Sequence, residues 1–135
     1  IRESASEGGY DFSDMNDDQL TDDYHYFAFP NVTFNLFHTR FSMFRQRPHE
    51  TDPDKMYFDL MSYQLTPEGA EEFECSPRRQ FKNGDEPYNV VYEQDAANCE
   101  KQQKGFHQLG FRGMWISNQE LRIRHFHKVL DDYMN

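Results

Sequence analysis

The chain has 135 residues, a formal net charge of −10 and a mean hydropathy of −1.01. That length suffices for one domain with a real core. The acidic balance repels a nucleic-acid backbone and an anionic membrane surface, which excludes both as partners, and no apolar run approaches the ~18 residues of a spanning helix.

The first 23 residues hold eight acids and one base, Arg2, a net charge of −7. They have few apolar residues and no clear period, so residues 1–23 read as an acidic flexible segment or loop. From Tyr24 the character changes. In YHYFAFPNVTFNLF, Val32, Phe34 and Leu36 alternate with Thr33, Asn35 and Phe37, the period of a strand. Pro30-Asn31 interrupts the run and predicts a bulge, an edge or a break. A turn near His38-Thr39 leads into a second strand over Phe41–Arg47. HETDPDK is a turn by composition, and Met56–Leu65 alternates as a further strand. Together these make an antiparallel meander.

Thr66 to Glu86 has Pro, Gly and many charges without a period. Thr66-Pro67-Glu68 is able to start a short helix, with Thr as cap and Pro at the first position; otherwise the region is a long loop. Glu71, Glu72 and Glu74 read as a solvated charge run. Two helices follow. The first spans about Tyr88 to His107, with Glu100 and Lys104 paired on its wet face. The second opens on a capping box, Ser117 and Glu120. Ile123, Phe126, His127, Leu130, Tyr133 and Met134 then form an apolar stripe. Strands, a loop and then helices give an α+β class with an antiparallel sheet and a long C-terminal amphipathic helix. The abrupt first edge of the sheet suggests the C-terminal portion of a larger domain over residues 24–135.

One residue resists this scheme. Val91, Asp95 and Cys99 are spaced i, i+4, i+8, with Gln102 and Phe106 continuing the row, so Asp95 falls on a stripe expected to be buried. A buried lone carboxylate costs several kcal/mol and calls for a partner. An arginine, a set of backbone donors or a metal ion would each serve. Six histidines are present, but none stands in an obvious ligand pair. His125 and His127 point about 160° apart on a helix, and His127 on the stripe reads as a core residue. His25, in the aromatic strand, is placed to line a pocket. There is no GxSxG, P-loop or GxGxxG. Cys75 and Cys99 form no CxxC and no disulfide framework, which fits a reducing cytoplasm and makes the Asn31-Val32-Thr33 sequon incidental.

The ordered set DYHYFAFPNVTFNLF, RQRP, TDPDKMYFD, EQDAANCEKQQKGF and SNQELRIRHFHKVLDDYM resembles the end of the α subunit of Rieske non-haem iron ring-hydroxylating oxygenases. Its most specific part is D-x-x-x-C-E-x-x-Q-x-G, here Asp95, Cys99, Glu100, Gln103 and Gly105. FPN at Phe29-Pro30-Asn31 and the HFH near the end support it. The resemblance implies a helix-grip fold, of which this is part. It implies a mononuclear Fe(II) held by two histidines and one carboxylate, with open positions for dioxygen, and it matches Asp95 to that carboxylate. The two histidine ligands and the Rieske [2Fe–2S] motif lie upstream in the family and have no counterpart here, so this piece alone is expected to be inactive. The resemblance further implies an apolar aromatic substrate and O2, electrons from a ferredoxin or reductase, and a homotrimer or α3β3 assembly. His25, Phe27, Asn31 and Phe34 are then the candidate substrate-binding residues. Two other readings remain. One is a metal-free helix-grip module binding an apolar ligand; the other is a structural piece serving subunit contacts.

Overall fold

The computed structural model describes residues 1–70, 75–82, 85 and 89–135. The charge run at Glu71, Glu72 and Glu74 and the expected helix start at Tyr88 lie outside them. The chain divides into two compact units, Ile1–Glu74 and Cys75–Asn135.

The first unit is built on four strands: β1 (Tyr24–Ala28), β2 (Val32–Leu36), β3 (Arg40–Pro48) and β4 (Met56–Gln64). They pair antiparallel in chain order, which is the expected meander. Phe29-Pro30-Asn31 is the break that the sequence predicts. It forms the connection between β1 and β2, and Asn31 is tied to β3 there: its Nδ2 donates to Gln46 O at 2.6 Å and its carbonyl accepts from Gln46 N at 3.1 Å. The β3–β4 turn closes around His49, whose Nδ1 accepts from the amides of Thr51 and Asp52 at 3.3 and 3.2 Å.

Opposed residues in an antiparallel pair share a face, so the register sorts the side chains. One face carries Tyr24 and Tyr26, then Val32, Phe34 and Leu36, then Phe41, Met43, Arg45 and Arg47, then Tyr57, Asp59, Met61 and Tyr63. The other carries His25, Phe27, Thr33, Asn35, Ser42, Phe44, Phe58, Leu60 and Ser62.

The acidic segment differs from the expected loop. It carries α1 (Arg2–Glu7) and α2 (Asp17–Thr21), and the buried hydrophobic cluster of the described residues, Ala5, Phe12 and Leu20, lies within it. Arg2 is the reason the segment closes on itself. It donates to Phe12 O and Met15 O, both at 2.6 Å, and pairs with Asp17 at 3.0 Å, satisfying carbonyls of the connection between the two helices. A capping box of Asn16 and Gln19 starts α2. Tyr10 then anchors the segment to the sheet, its hydroxyl donating to Leu65 O at 2.7 Å. Thr66-Pro67-Glu68 starts no helix; Pro67 O instead accepts from Ala70 N in a turn.

The second unit holds α3 (Val90–Phe106) and α4 (Leu121–Met134). Asn89 caps α3 by accepting from Val91 N at 2.8 Å. Glu100 and Lys104 make the expected pair at 2.7 Å. The Ser117–Glu120 capping box forms, with Ser117 N donating to the Glu120 carboxylate at 2.8 Å. The first turn after it is a 3₁₀ turn, Asn118–Glu120. On α4 only Phe126, Val129 and Leu130 are half-buried. His127 is exposed against the edge of Phe126, which corrects its reading as a core residue. The α+β class stands, with the C-terminal helix in place.

Leu20 is the most buried side chain of the cluster, 4% exposed. Leu20→Ala is expected to destabilise the first unit by about 2 kcal/mol or more, read as a lower urea midpoint. An unchanged midpoint would mean that the segment contributes nothing to the fold.

Candidate functional site

On the first face of the sheet, four rings form a chain across all four strands. Tyr26 stacks on Phe34 at 5.4 Å, Phe34 meets Phe41 edge-on at 5.6 Å, and Phe41 stacks on Tyr63 at 5.4 Å. Each step is a cross-strand or diagonal pair of the kind that stabilises sheets. Met43 and Met61 fill in beside them.

The same face turns polar at the next rows along the strands. Asp59 on β4 receives two guanidinium groups from β3. Arg47 holds it bidentately, Nε to one oxygen at 2.8 Å and Nη2 to the other at 3.1 Å. Arg45 brings Nε and Nη2 to the same oxygen that takes Arg47 Nε, at 2.9 and 2.8 Å. Arg47 also lies over the ring of Tyr57, whose hydroxyl donates to Glu50 at 2.9 Å. The hydrogen bonds from Arg47, then those from Arg45, hold the Asp59 carboxyl far below the usual carboxylate range. Hydrogen bonding to Asp59 in turn raises Arg47.

The sequence-predicted substrate residues do not form one wall. Phe34 sits in the ring chain on this face. His25 and Phe27 lie on the opposite face, where His25 Nδ1 bonds the Asn35 side-chain oxygen across the strands. Asn31 is occupied in the turn against β3. A single ligand cannot touch all four. The Arg45–Asp59–Arg47 group was not singled out from sequence. Its only signal is RQR opposite YFD, which needs the β3–β4 register to become a cluster.

Asp95 lies in the second turn of α3 and keeps its row with Val91, Cys99 and Phe106. The row is not buried: all four residues are exposed, and α3 has no buried residue. The expectation of a buried charge is corrected. No hydrogen bond or ion pair engages Asp95 among the described residues, so its carboxylate is available as a donor. Among those residues no group of three His, Cys, Asp or Glu stands close enough to hold a metal ion. A complete iron site therefore does not fit the described residues by themselves. A groove beside α4, lined by Ile116, Arg124, His127 and Asp131, has its cations already engaged. Arg124 donates to Ser117 O and Asn118 at 3.1 Å, and Lys128 pairs with Asp132 at 2.6 Å. No described helix is long and apolar enough to cross a membrane.

Residues 3–135 match the family model described as ring hydroxylating alpha subunit (catalytic domain). No curated protein and no solved structure matches significantly.

Asp59 yields a pH prediction. Its folded carboxyl is depressed, so its contribution is present above the ordinary carboxylate range near 4 and is lost as pH falls below it. Asp59→Asn is expected to cost about 1–2 kcal/mol at neutral pH, small because both guanidiniums are open to solvent. In urea titrations the gap between variant and wild type should stay flat from pH 8 to about 5 and close only in stronger acid. A gap that closes already near pH 6 would contradict this.

Proposed function

The chain belongs to the ring-hydroxylating α-subunit family, in its catalytic domain, and is by class part of an oxidoreductase; from that membership we propose that it completes the mononuclear iron centre of a ring-hydroxylating oxygenase through Asp95. The observation that carries the proposal is the D-x-x-x-C-E-x-x-Q-x-G pattern inside the matched region. It places Asp95 on a capped helix with a carboxylate that nothing else in the described chain engages. A hard carboxylate oxygen suits Fe(II) beside two imidazoles. The two histidines come from the part of the α subunit that precedes these residues in the family. The iron supplies oxygen activation when bound, with electrons reaching it from a Rieske [2Fe–2S] cluster outside this sequence and, before that, from a ferredoxin or reductase.

What this chain contributes is a ligand and a wall. α3 fixes Asp95 in a regular helix, where its carboxylate would serve as one ligand to the metal. The ring chain through Phe34 offers flat apolar surface to an aromatic substrate, which orients the ring and excludes water. His25 and Phe27 serve on the other face of the sheet, and Asn31 holds the β1–β2 connection in place beneath Phe34's strand. The complete α subunit works in the cytoplasm as a trimer, alone or with a β subunit.

Asp95→Ala in the complete, anaerobically purified α subunit is expected to lose mononuclear iron while keeping its cluster iron and its cluster spectrum. Equal iron in variant and wild type would overturn the assignment. It would make Asp95 a surface acid and favour a metal-free carrier of apolar ligands.

A further inference from the structure

Three features of the first sheet face fit together. Its apolar end is the ring chain, ending at Phe34 and Met43 on the central strands. The row next to Phe34 and Met43 is Ala28, Val32, Arg45 and Asp59. Rows on one face stand about 7 Å apart along a strand, so the Arg45 row lies one small substituted ring away from the Phe34 row. Ala28 and Val32 are small, which leaves Arg45 approachable from the β1–β2 side.

The two guanidiniums at this end of the face are held unequally. Two guanidiniums share the single carboxylate of Asp59, while Glu50, reached through Tyr57, lies beside Arg47. Arg47 thus has two acids and is held bidentately. Arg45 has one acid, shared, and spends Nε and Nη2 on a single oxygen. Its side chain is 47% exposed, and Nη1 meets no acceptor among the described residues. Asp59 fixes the guanidinium plane of Arg45 without consuming its outer edge. Asp59 and Glu50 match the two arginines in charge, so what Arg45 offers is an oriented, open guanidinium edge at the border of an aromatic face. A planar fork of that kind matches a carboxylate.

We infer that the substrate is an aromatic carboxylate, its ring against Phe34 and Met43 and its carboxylate on Arg45. The inference rests on the reading of this face as a substrate wall, and it names Arg45 as the residue that decides specificity. Arg47 and Asp59 are positioning residues. An ion-pair group that serves the sheet alone would show no preference between charged and neutral rings.

The test uses the complete, iron-loaded oxygenase. One- and two-ring carboxylates (benzoate and naphthoate) are each paired with the methyl analogue, toluene and methylnaphthalene. Binding is read by anaerobic equilibrium dialysis and turnover by product formation. The wild type should prefer a carboxylate over its methyl analogue. Arg45→Met should weaken that carboxylate about tenfold or more, in Kd and KM rather than kcat, and leave the neutral ring unchanged. Arg45→Lys should recover part of the loss, since it keeps the charge and forfeits the fork. Retained Asp59–Arg47 pairing keeps the variants folded, which circular dichroism checks. Equal binding of charged and neutral rings by the wild type, or an equal loss of both in Arg45→Met, overturns the inference while the oxygenase reading stands. Failure to bind or convert any ring overturns the oxygenase reading itself, together with the inference built on it.

Discussion

The β-meander register is the constraint on which the first unit depends. Each strand faces its chain neighbour, so a short turn sets each pairing, and a slip by one residue would exchange the two faces. With the register as it is, Tyr26, Phe34, Phe41 and Tyr63 fall into contact across four strands. Arg45 and Arg47, two apart on β3, converge on Asp59. Neither arrangement exists in any one strand. The turns that enforce the register are themselves anchored, at Asn31 by Gln46 and at His49 by two amides.

The strands were legible because a half-buried antiparallel strand prints its period on the sequence, and Val32–Leu36 and Met56–Leu65 do so. The turn residues were legible for the same local reason: Pro30-Asn31 and HETDPDK sit where the chain reverses. α4 could be located from Ser117 and Glu120, since a capping box is a local device. The acidic segment was not legible. Its buried residues, Ala5, Phe12 and Leu20, stand seven and eight apart, the first and last on helices of six and five residues, too short to show a period. Its organiser is Arg2, whose bonds reach Phe12, Met15 and Asp17. Such a long-range side-chain-to-carbonyl clasp has no sequence signature. The Asn16–Gln19 box was the one local signal available.

The family was legible in the sequence, and the geometry around the candidate site was not. The row Val91–Asp95–Cys99 could be read from spacing alone, and the ordered motif around it pointed to the family that the match over residues 3–135 establishes. Burial of the row could not be read, because helical spacing says which residues share a face and nothing about what covers it. The candidate substrate residues illustrate a second limit. His25, Phe27, Asn31 and Phe34 lie close in sequence, but strand alternation sends His25 and Phe27 to one face and Phe34 to the other. Proximity along a hairpin is not proximity in a pocket.

An aspartate that holds two arginines is an extravagant use of charge if stability is its only purpose. Exposed ion pairs contribute little, and one arginine would satisfy both oxygens, as Arg47 already does. The second guanidinium gains little for the fold and keeps an outer edge open. Its orientation, by contrast, is well defined, since two of its nitrogens converge on one oxygen of a carboxylate that Arg47 has already immobilised. Preorganisation of that sort lowers the cost of binding an anion, because the fork need not be ordered again when the ligand arrives. The ring chain beside it supplies the complementary half, flat surface at low conformational cost. On the inference drawn above, a face so divided, aromatic at one end and bearing an open guanidinium edge at the other, would discriminate by pairing a ring with a carboxylate at a fixed spacing, which neither half would achieve alone.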